Sequence, residues 1–327
     1  MFKALRRFSP DPFVLALLAT VAVASLLPCR GAVATAFQWL TTAAIALLFF
    51  MHGVRLPRDA LVKGLAHWRL HLVILAATFL LFPALGLAMA RLAPGLLPQP
   101  LWLGVLFVCA LPSTVQSSIA FTSIARGDVP AAIGAATASN LLGVFLTPVL
   151  VGLLTHLQGG AGSMAQIWKV VAQLLLPFAA GHLLRPWLIG WAERNKRLVT
   201  LSDRGSILLA VYTSFSAAVV EGIWKQLPPE TLAVLVAVLA VLLALVLLAT
   251  TFGARLLGFG KADEIAIVFC GSKKSLASGV PMANVLFAGP SVGMTVLPLM
   301  IFHQMQLMVC AALARRYAAR AEAAAAE

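Results

Sequence analysis

Residues 264–287 read EIAIVFCGSKKSLASGVPMANVLF, an apolar stretch of 24 residues with two adjacent lysines near its centre. A helix that crosses a bilayer needs about 20 apolar residues, so this stretch is long enough to span one. A lysine near the bilayer centre costs at least about 2.5 kcal/mol by insertion scales. Gly271 and Pro281 flank the pair and weaken a regular helix. We therefore expect a transmembrane helix that is broken near Lys273 and Lys274 and is buried inside protein.

The composition of the whole chain agrees with this interpretation. Of its 327 residues, 61% are hydrophobic and 11% are charged, whereas soluble domains have roughly 45–50% apolar and about 25% charged residues. The sequence therefore predicts an all-α polytopic membrane protein, embedded in the lipid bilayer, with ten transmembrane helices. We name these helices span 1 to span 10, and they cover residues 12–29, 34–53, 70–92, 101–125, 129–154, 167–187, 204–224, 231–252, 264–287 and 291–313.

The positive charges of the loops predict the orientation of the chain. If the N-terminus lies in the cytoplasm, 18 of the 24 Lys and Arg residues fall on the cytoplasmic side, four fall outside and two lie within span 9. Short loops rich in Lys and Arg remain cytoplasmic. We therefore expect a multi-pass protein of the plasma (inner) membrane with both termini in the cytoplasm. Topology then explains the net charge of +13, and no polar face is left to bind nucleic acid.

Ten spans divide into two halves of opposite orientation. Because five spans carry the chain across the membrane, the second five begin on the opposite side. Inverted-topology repeats of this kind occur in many secondary transporters. We expect one transmembrane transporter domain over residues 1–327, with inverted repeats at 11–154 and 166–314.

Span 4 occupies the same place in the first half as span 9 does in the second, and it is also interrupted by polar residues. Residues 111–123 read LPSTVQSSIAFTS, in which Pro112 removes a backbone donor. Matched broken helices in opposite halves are the best sequence indicator of a transport site, although Pro and Ser also kink ordinary spans. The candidate binding residues in the two spans are Ser113, Thr114, Gln116, Ser117, Ser118, Ser272, Lys273, Lys274 and Ser275.

Spans 5 and 10 add polar candidates. Thr137 and Asn140 lie on the otherwise apolar span 5. An amide in the membrane is costly unless it is hydrogen-bonded, so Asn140 either faces the site or ties helices together. In span 10, Gln304 is the residue that we expect to reach the core. The four cysteines have no metal-ligand spacing, so we expect no cofactor and no cysteine-bound metal.

The two lysines have no carboxylate at comparable depth in any span. Backbone carbonyls, hydroxyls, water or an anionic ligand must therefore surround their ammonium groups. Adjacent helical residues point about 100° apart, so Lys273 and Lys274 are expected to have different roles. A small organic anion is the favoured partner, because a buried positive charge and the N-termini of half-helices both attract anions. Burial also favours the neutral amine, so the alternatives for each lysine are a proton carrier and a fixed internal cation without a part in turnover.

Two stretches resemble a known family. Residues 112–148, PSTVQSSIAFTSIARGDVPAAIGAATASNLLGVFLTP, resemble the span 4–5 region of the bile acid:sodium symporter superfamily. Residues 270–287, CGSKKSLASGVPMANVLF, resemble the signature of its sodium/bile-acid-symporter-like (SBF-like) bacterial branch. The resemblance covers nearly the whole chain. It implies a panel domain of spans 1, 2, 6 and 7, a core domain of spans 3–5 and 8–10 in which the discontinuous spans 4 and 9 cross, and alternating access by movement of core against panel.

The resemblance also raises the question of sodium. In sodium-coupled members of the superfamily, Ser and Asn on span 4, hydroxyls on span 5, and Glu and Gln on span 9 bind two sodium ions. Ser117 and Ser118 match the span 4 pair within one residue, as a remnant of that site, and Thr137 lies near the span 5 hydroxyl. The span 9 Glu is absent, and GSKKS at 271–275 stands in the Gln-Asn region. Because a cation opposes sodium binding beside it, we expect sodium coupling to be altered or lost, with a lysine ammonium standing in for a sodium ion.

Other classes of function are weighed against a transporter. Eukaryotic relatives in the SBF-like branch are linked to calcium homeostasis, so a membrane regulator of ion pathways with little transport of its own is the alternative. A membrane enzyme is disfavoured, because no Ser–His–Asp set or carboxylate pair lies at one depth. A channel is disfavoured, because the sequence contains no charged ring or filter.

Overall fold

The computed structural model describes residues 12–55, 67–157, 164–287 and 291–326. Helices make up these ranges apart from short connections, and no strand occurs in them, as the all-α prediction requires. The basic residues before residue 12 and in the loop 56–66, which the topology prediction uses, lie outside the described residues.

We number the described helices α1 to α14 in chain order. Spans 4 and 9 each correspond to two helices, spans 6 and 7 each run past the end of a long helix into the short helix that follows, and the other predicted spans correspond to one helix with shifted ends. The helices are α1 (Pro12–Leu26), α2 (Gly31–Arg55), α3 (Trp68–Leu92, with a π turn at Ala77–Leu81), α4 (Gln99–Ala110), α5 (Gln116–Ile124), α6 (Val129–Leu157), α7 (Met164–Leu183), α8 (Arg185–Arg194), α9 (Lys196–Val220), α10 (Ile223–Gln226), α11 (Pro229–Leu256), α12 (Lys261–Gly271), α13 (Leu276–Leu286) and α14 (Ser291–Ala326).

Among the described residues, five helices are long and apolar enough to cross a membrane: α2, α3, α6, α11 and α14. The apolar parts of α1, α4 and α7 are shorter. Large hydrophobic side chains such as Trp39, Leu80 and Leu248 are exposed on the outer surfaces of the long helices. Exposed apolar surface over helices whose backbone is satisfied internally is the arrangement that lipid requires. The fold is that of a polytopic membrane protein.

The structure interrupts both helices for which a break is expected. Residues 111–115 separate α4 from α5, and residues 272–275 separate α12 from α13. Pro112 lies in the first break, but Pro281 lies inside α13 and does not break span 9. Pro148 and Pro298 likewise lie inside α6 and α14. Proline alone therefore does not divide these helices; they divide where serine side chains and a second break can bind the freed backbone groups.

Two glycines permit close packing of α2 against α7. A Cβ atom at Gly53 would collide with the carbonyl oxygen of Phe178, and one at Gly181 would collide with that of Phe50. Small residues let the backbones of membrane helices approach closely. The pair α2 and α7 is therefore in backbone contact, with no room for a side chain at either glycine.

We expect Gly181→Ala to destabilise the protein by about 1–3 kcal/mol, because the added methyl group must push two helix backbones apart. Thermal unfolding of the purified protein in detergent measures this as a lower Tm. Gly190→Ala in α8 is the matched control, since a Cβ there meets no atom within 4 Å and alanine favours helix more than glycine does. Equal Tm values for the two variants would contradict the close packing.

Candidate functional site

The two breaks meet through backbone groups. The amide of Ser275 donates to the carbonyl of Pro112 at 2.9 Å. The hydroxyl of Ser113 donates to the carbonyl of Cys270 at 2.6 Å. Each break thus supplies partners to backbone groups that the other leaves free, which permits irregular backbone inside a membrane protein.

Lys274 is fully buried where the breaks cross. Its Nζ donates to three carbonyl oxygens, those of Thr78 at 2.8 Å, Cys109 at 2.8 Å and Leu111 at 2.7 Å. An ammonium group has three donors, so each of them has an acceptor. The ring centroid of Phe82 lies 4.1 Å from Nζ and adds a cation–π contact. Among the described residues, backbone carbonyls are the acceptors of this ammonium group.

The amide group of Gln306 holds the backbone of Lys274. The Lys274 N–H donates to Oε1 of Gln306, and the Lys274 carbonyl accepts from Nε2, both at 2.8 Å. Gln306 is fully buried. Gln304 is the residue predicted from the sequence to reach the core, but Gln306 is the residue that contacts the break. The Oε1 atom of Gln304 is buried without a hydrogen-bond partner among the described residues.

Lys273 is equally buried but has fewer acceptors. Its Nζ donates to the carbonyl of Ser117 at 2.7 Å, which is its one hydrogen bond within the described part of the chain. The ring centroids of Phe121 and Phe269 lie 3.9 Å and 5.4 Å from Nζ and provide cation–π contacts. The two lysines therefore point to different surroundings.

The hydroxyl groups of the first break and of α5 form a polar cluster beside Lys273. Thr114 Oγ1 lies 2.7 Å from Ser117 Oγ and 3.2 Å from Ser118 Oγ. Ser118 Oγ also lies 3.4 Å from Ser113 Oγ. Three of these side chains are buried, whereas Ser117 is partly exposed. The structure thus brings together four of the candidates from span 4.

Asn140 of α6 links the two breaks. Its Nδ2 donates to the carbonyl of Ser113 at 2.6 Å, and its Oδ1 accepts from Ser278 Oγ at 3.0 Å. Ser275 Oγ accepts from the amide of Ser278 at 3.2 Å and so caps the start of α13. Asn140 therefore ties helices together at the crossing itself.

Three sequence-predicted residues lie outside this network. Gln116, at the start of α5, is exposed. Thr137 is partly exposed, and the nearby Ser139 instead accepts a backbone amide of the first break at 3.0 Å. Ser272 donates to the carbonyl of Val268 in its own helix at 2.6 Å. Gln116 and Thr137 are thus accessible from outside the core, whereas the Ser272 hydroxyl is already bonded.

Sequence reasoning missed Thr78, which lies in the π turn of α3. Because it contributes a backbone carbonyl, its side chain carries no signal of its role. Pro83, five residues later, is the sequence feature that could have indicated a free carbonyl here. A proline has no N–H to bond to a carbonyl of the preceding turn.

A second charged group, in which one carboxylate is buried and two cations are partly exposed, lies at the other end of α12. Glu264 is 3% exposed. Its carboxylate accepts from Lys261 Nζ at 2.7 Å, from the Tyr317 hydroxyl at 2.9 Å, and from Arg255 Nε and Nη2 at 3.1 and 3.2 Å. These bonds join α11, α12 and α14. Loss of one of these partners would leave an uncompensated buried charge where the three helices pack.

A third group has metal-ligand chemistry but an ordinary explanation. Ligand atoms of His67, Asp128 and Asp263 lie within 4.8 Å of one another. Asp128 accepts the amide of Ala131 at 2.9 Å as a helix cap, and Asp263 lies in the first turn of α12. Carboxylates at these positions are stabilised by the positive end of the helix dipole. Their location therefore requires no bound ion.

Fold and site together define the class of protein. An all-helical membrane chain in which two broken helices cross around buried polar groups has the architecture of a secondary transporter. The family model agrees, because the SBF-like CPA transporter family matches residues 11–319. The chain belongs to this family.

Similar proteins occur in bacteria and in vertebrates. Uncharacterized protein PA2026 of Pseudomonas aeruginosa is 58% identical over 322 residues, which are 98% of this chain and 96% of the relative. Putative symporter YfeH of Escherichia coli K12 is 56% identical over 312 residues, 95% of this chain and 94% of the relative. Sodium/bile acid cotransporter 7 of Mus musculus is 31% identical over 273 residues, 81% of this chain and 79% of the relative. The family resemblance inferred from two stretches of sequence is confirmed.

We expect Gln306→Met to destabilise the protein by about 1–3 kcal/mol, because it leaves the buried amide of Lys274 without its partner and leaves the Lys274 carbonyl with only the 3.3 Å contact to His303 Nδ1. Gln304→Met is the matched control on the same helix. Its buried Oε1 has no partner to lose among the described residues, so this variant should match or exceed the wild-type Tm. If Gln304→Met is the more damaging of the two, the hydrogen bonds assigned to Gln306 are wrong.

Proposed function

We propose that the protein is a secondary active transporter that carries a small organic anion across the inner membrane by alternating access. The observation that carries the proposal is the buried ammonium group of Lys273, which has one hydrogen-bond acceptor among the described residues and lies beside a cluster of hydroxyls. A buried charge with unused donors is costly until a partner arrives. The anionic group of a solute supplies that partner.

Two further features support an anionic solute. Helices α5 and α13 both begin at the crossing and present free N-terminal amides to an anion, while the C-termini of α4 and α12 offset their dipoles and leave the two ammonium groups as the net charge. No carboxylate of the described residues contacts either ammonium group, and the buried Glu264 is already bonded to Arg255 and Lys261. The crossing therefore carries an excess of positive charge that an anion neutralises.

The proposed architecture is the ten-span inverted repeat, with halves at 11–154 and 166–314. The matched interruptions of spans 4 and 9 support it. The glycine contact between α2 and α7 joins spans 2 and 6, which are both assigned to the panel. In the transport cycle the core, with its two lysines, moves against this panel. The Lys and Arg bias of the loops supports cytoplasmic termini.

Sodium coupling is altered or lost in this proposal. The name of the mouse relative assigns sodium and bile acid to that protein. In this chain two ammonium groups lie at the crossing, and a fixed positive charge opposes the binding of a sodium ion beside it. A lysine ammonium therefore takes the place of a coupling sodium ion, and a proton is the alternative coupling ion.

Uptake by purified protein in proteoliposomes tests the proposal. Taurocholate is the first probe, followed by those carboxylates and sulfates that raise the Tm in a thermal-shift screen. We expect equal uptake rates with sodium or choline as the external cation, and we expect Lys273→Met to abolish uptake because the partner of the anion is lost. Lys225→Met is the matched control, since Lys225 is exposed on α10.

Each outcome decides a different part of the proposal. Strict dependence on sodium would refute the loss of sodium coupling but not transport. Undiminished uptake by Lys273→Met would refute the role of Lys273. If the wild-type protein takes up none of the probes, the alternative function, regulation of ion (calcium) homeostasis with little transport of its own, is favoured.

A further inference from the structure

The three carbonyl oxygens around Lys274 Nζ, those of Thr78, Cys109 and Leu111, form what we call the carbonyl cage. Two of them are available because α4 ends at the first break. In a continued helix the amide of Ser113 would donate to the Cys109 carbonyl, but it donates to Ser139 Oγ at 3.0 Å. Leu111 lies in the break itself. Carbonyls at a helix C-terminus have no helical partner and carry the negative end of the dipole.

The third carbonyl is available because of the π turn in α3. The amide of Phe82 donates to the carbonyl of Ala77, five residues earlier, and so bypasses Thr78. The next residue is Pro83, which has no N–H. The Thr78 carbonyl therefore receives no hydrogen bond from Phe82, whose amide would reach it in an α-helix, or from Pro83, whose position would reach it in a π-helix. Helices α3 and α4 thus direct unused carbonyls at one point from two sides.

The carbonyl cage has the chemistry of a monovalent-cation site. Backbone carbonyls replace the hydration shell of potassium in selective channels, and no formal negative charge is needed. The three N···O distances of 2.7 to 2.8 Å are nearly equal, as around a single central cation. Ammonium and potassium ions have similar radii, so the Lys274 ammonium occupies a position that suits either one.

Lys274 is fixed in this position from both ends. Gln306 binds its backbone amide and its backbone carbonyl. The next residue, Ser275, donates its amide to Pro112 in the opposite break. The side chain of Lys274 is 0% exposed. Departure of the Lys274 ammonium group would leave three buried carbonyls without this partner, whereas departure of the Lys273 ammonium group would leave one.

We propose that the carbonyl cage is a monovalent-cation site permanently occupied by the tethered ammonium group of Lys274, so that the protein carries its own cation where a free ion would otherwise bind. The inference deepens the proposed function, and rests on it in taking the cage to be part of the transport core. It assigns the built-in cation to Lys274 and leaves Lys273 to meet the solute. Its test measures cation binding and does not require transport.

The test uses the full-length protein in detergent. Unfolding is followed with a thiol-reactive dye, because the four cysteines are free and buried. Lys274→Ala removes the atoms of an n-propylammonium ion and empties the carbonyl cage. We expect its Tm to fall by several degrees and to be largely restored, in a saturable manner, by n-propylammonium chloride and more weakly by potassium chloride. Choline chloride at equal ionic strength controls for salt, 1-propanol controls for filled volume, and Lys273→Ala is the matched variant.

Three results would overturn the proposal: no cation-specific recovery of Lys274→Ala, equal recovery with 1-propanol, or the same recovery in Lys273→Ala. If Lys274→Ala does not fold, the Tm of the wild-type protein in different salts tests the proposal. A site already filled by a tether gains nothing from a free ion, so the wild-type Tm should be the same in sodium, potassium and choline chloride. A higher Tm in sodium or potassium would show an open cation site and refute the tether. Failure of the uptake experiment with Lys273→Met would leave all these results unaffected.

Discussion

The buried ammonium group of Lys274 requires oxygen acceptors, and the irregular parts of two core helices provide them. A charge inside a low-dielectric protein is tolerated only when its donors are bonded. Side-chain carboxylates are absent from the described surroundings of this group, so backbone carbonyls take their place. Backbone carbonyls become available only where a helix stops or loosens. The end of α4 and the π turn of α3 therefore both provide acceptors to one buried charge.

The same requirement makes the two breaks depend on each other. The Pro112 carbonyl of the first break accepts from the amide of Ser275 in the second, and the Ser113 hydroxyl donates to the carbonyl of Cys270 in the last turn of α12. From α6, Asn140 bonds to Ser113 in the first break and to Ser278 in the first turn of α13. Bonds that share groups in this way are coupled, and the loss of one partner exposes several buried polar atoms at once. The crossing is thus one cooperative unit.

Most of the fold could be predicted from the sequence because the bilayer imposes a length on apolar helices. The breaks at spans 4 and 9 could be predicted because polar residues interrupt apolar stretches there. What could not be predicted is which atoms meet. Gln304 and Gln306 are two residues apart, and only the rotation of α14 decides that Gln306 faces Lys274. Pro281 carried the expected signal of a break but lies inside α13.

The residue types around the carbonyl cage do not reveal which atoms bind the ammonium group. Its acceptors are main-chain atoms, so a substitution at position 78, 109 or 111 that fits the same buried space changes the side chain without removing an acceptor. Purifying selection would act instead on the residues that shape the chain, such as Pro83, which withholds a donor from the π turn. Evolutionary constraint on this protein should therefore lie beside its binding atoms rather than upon them.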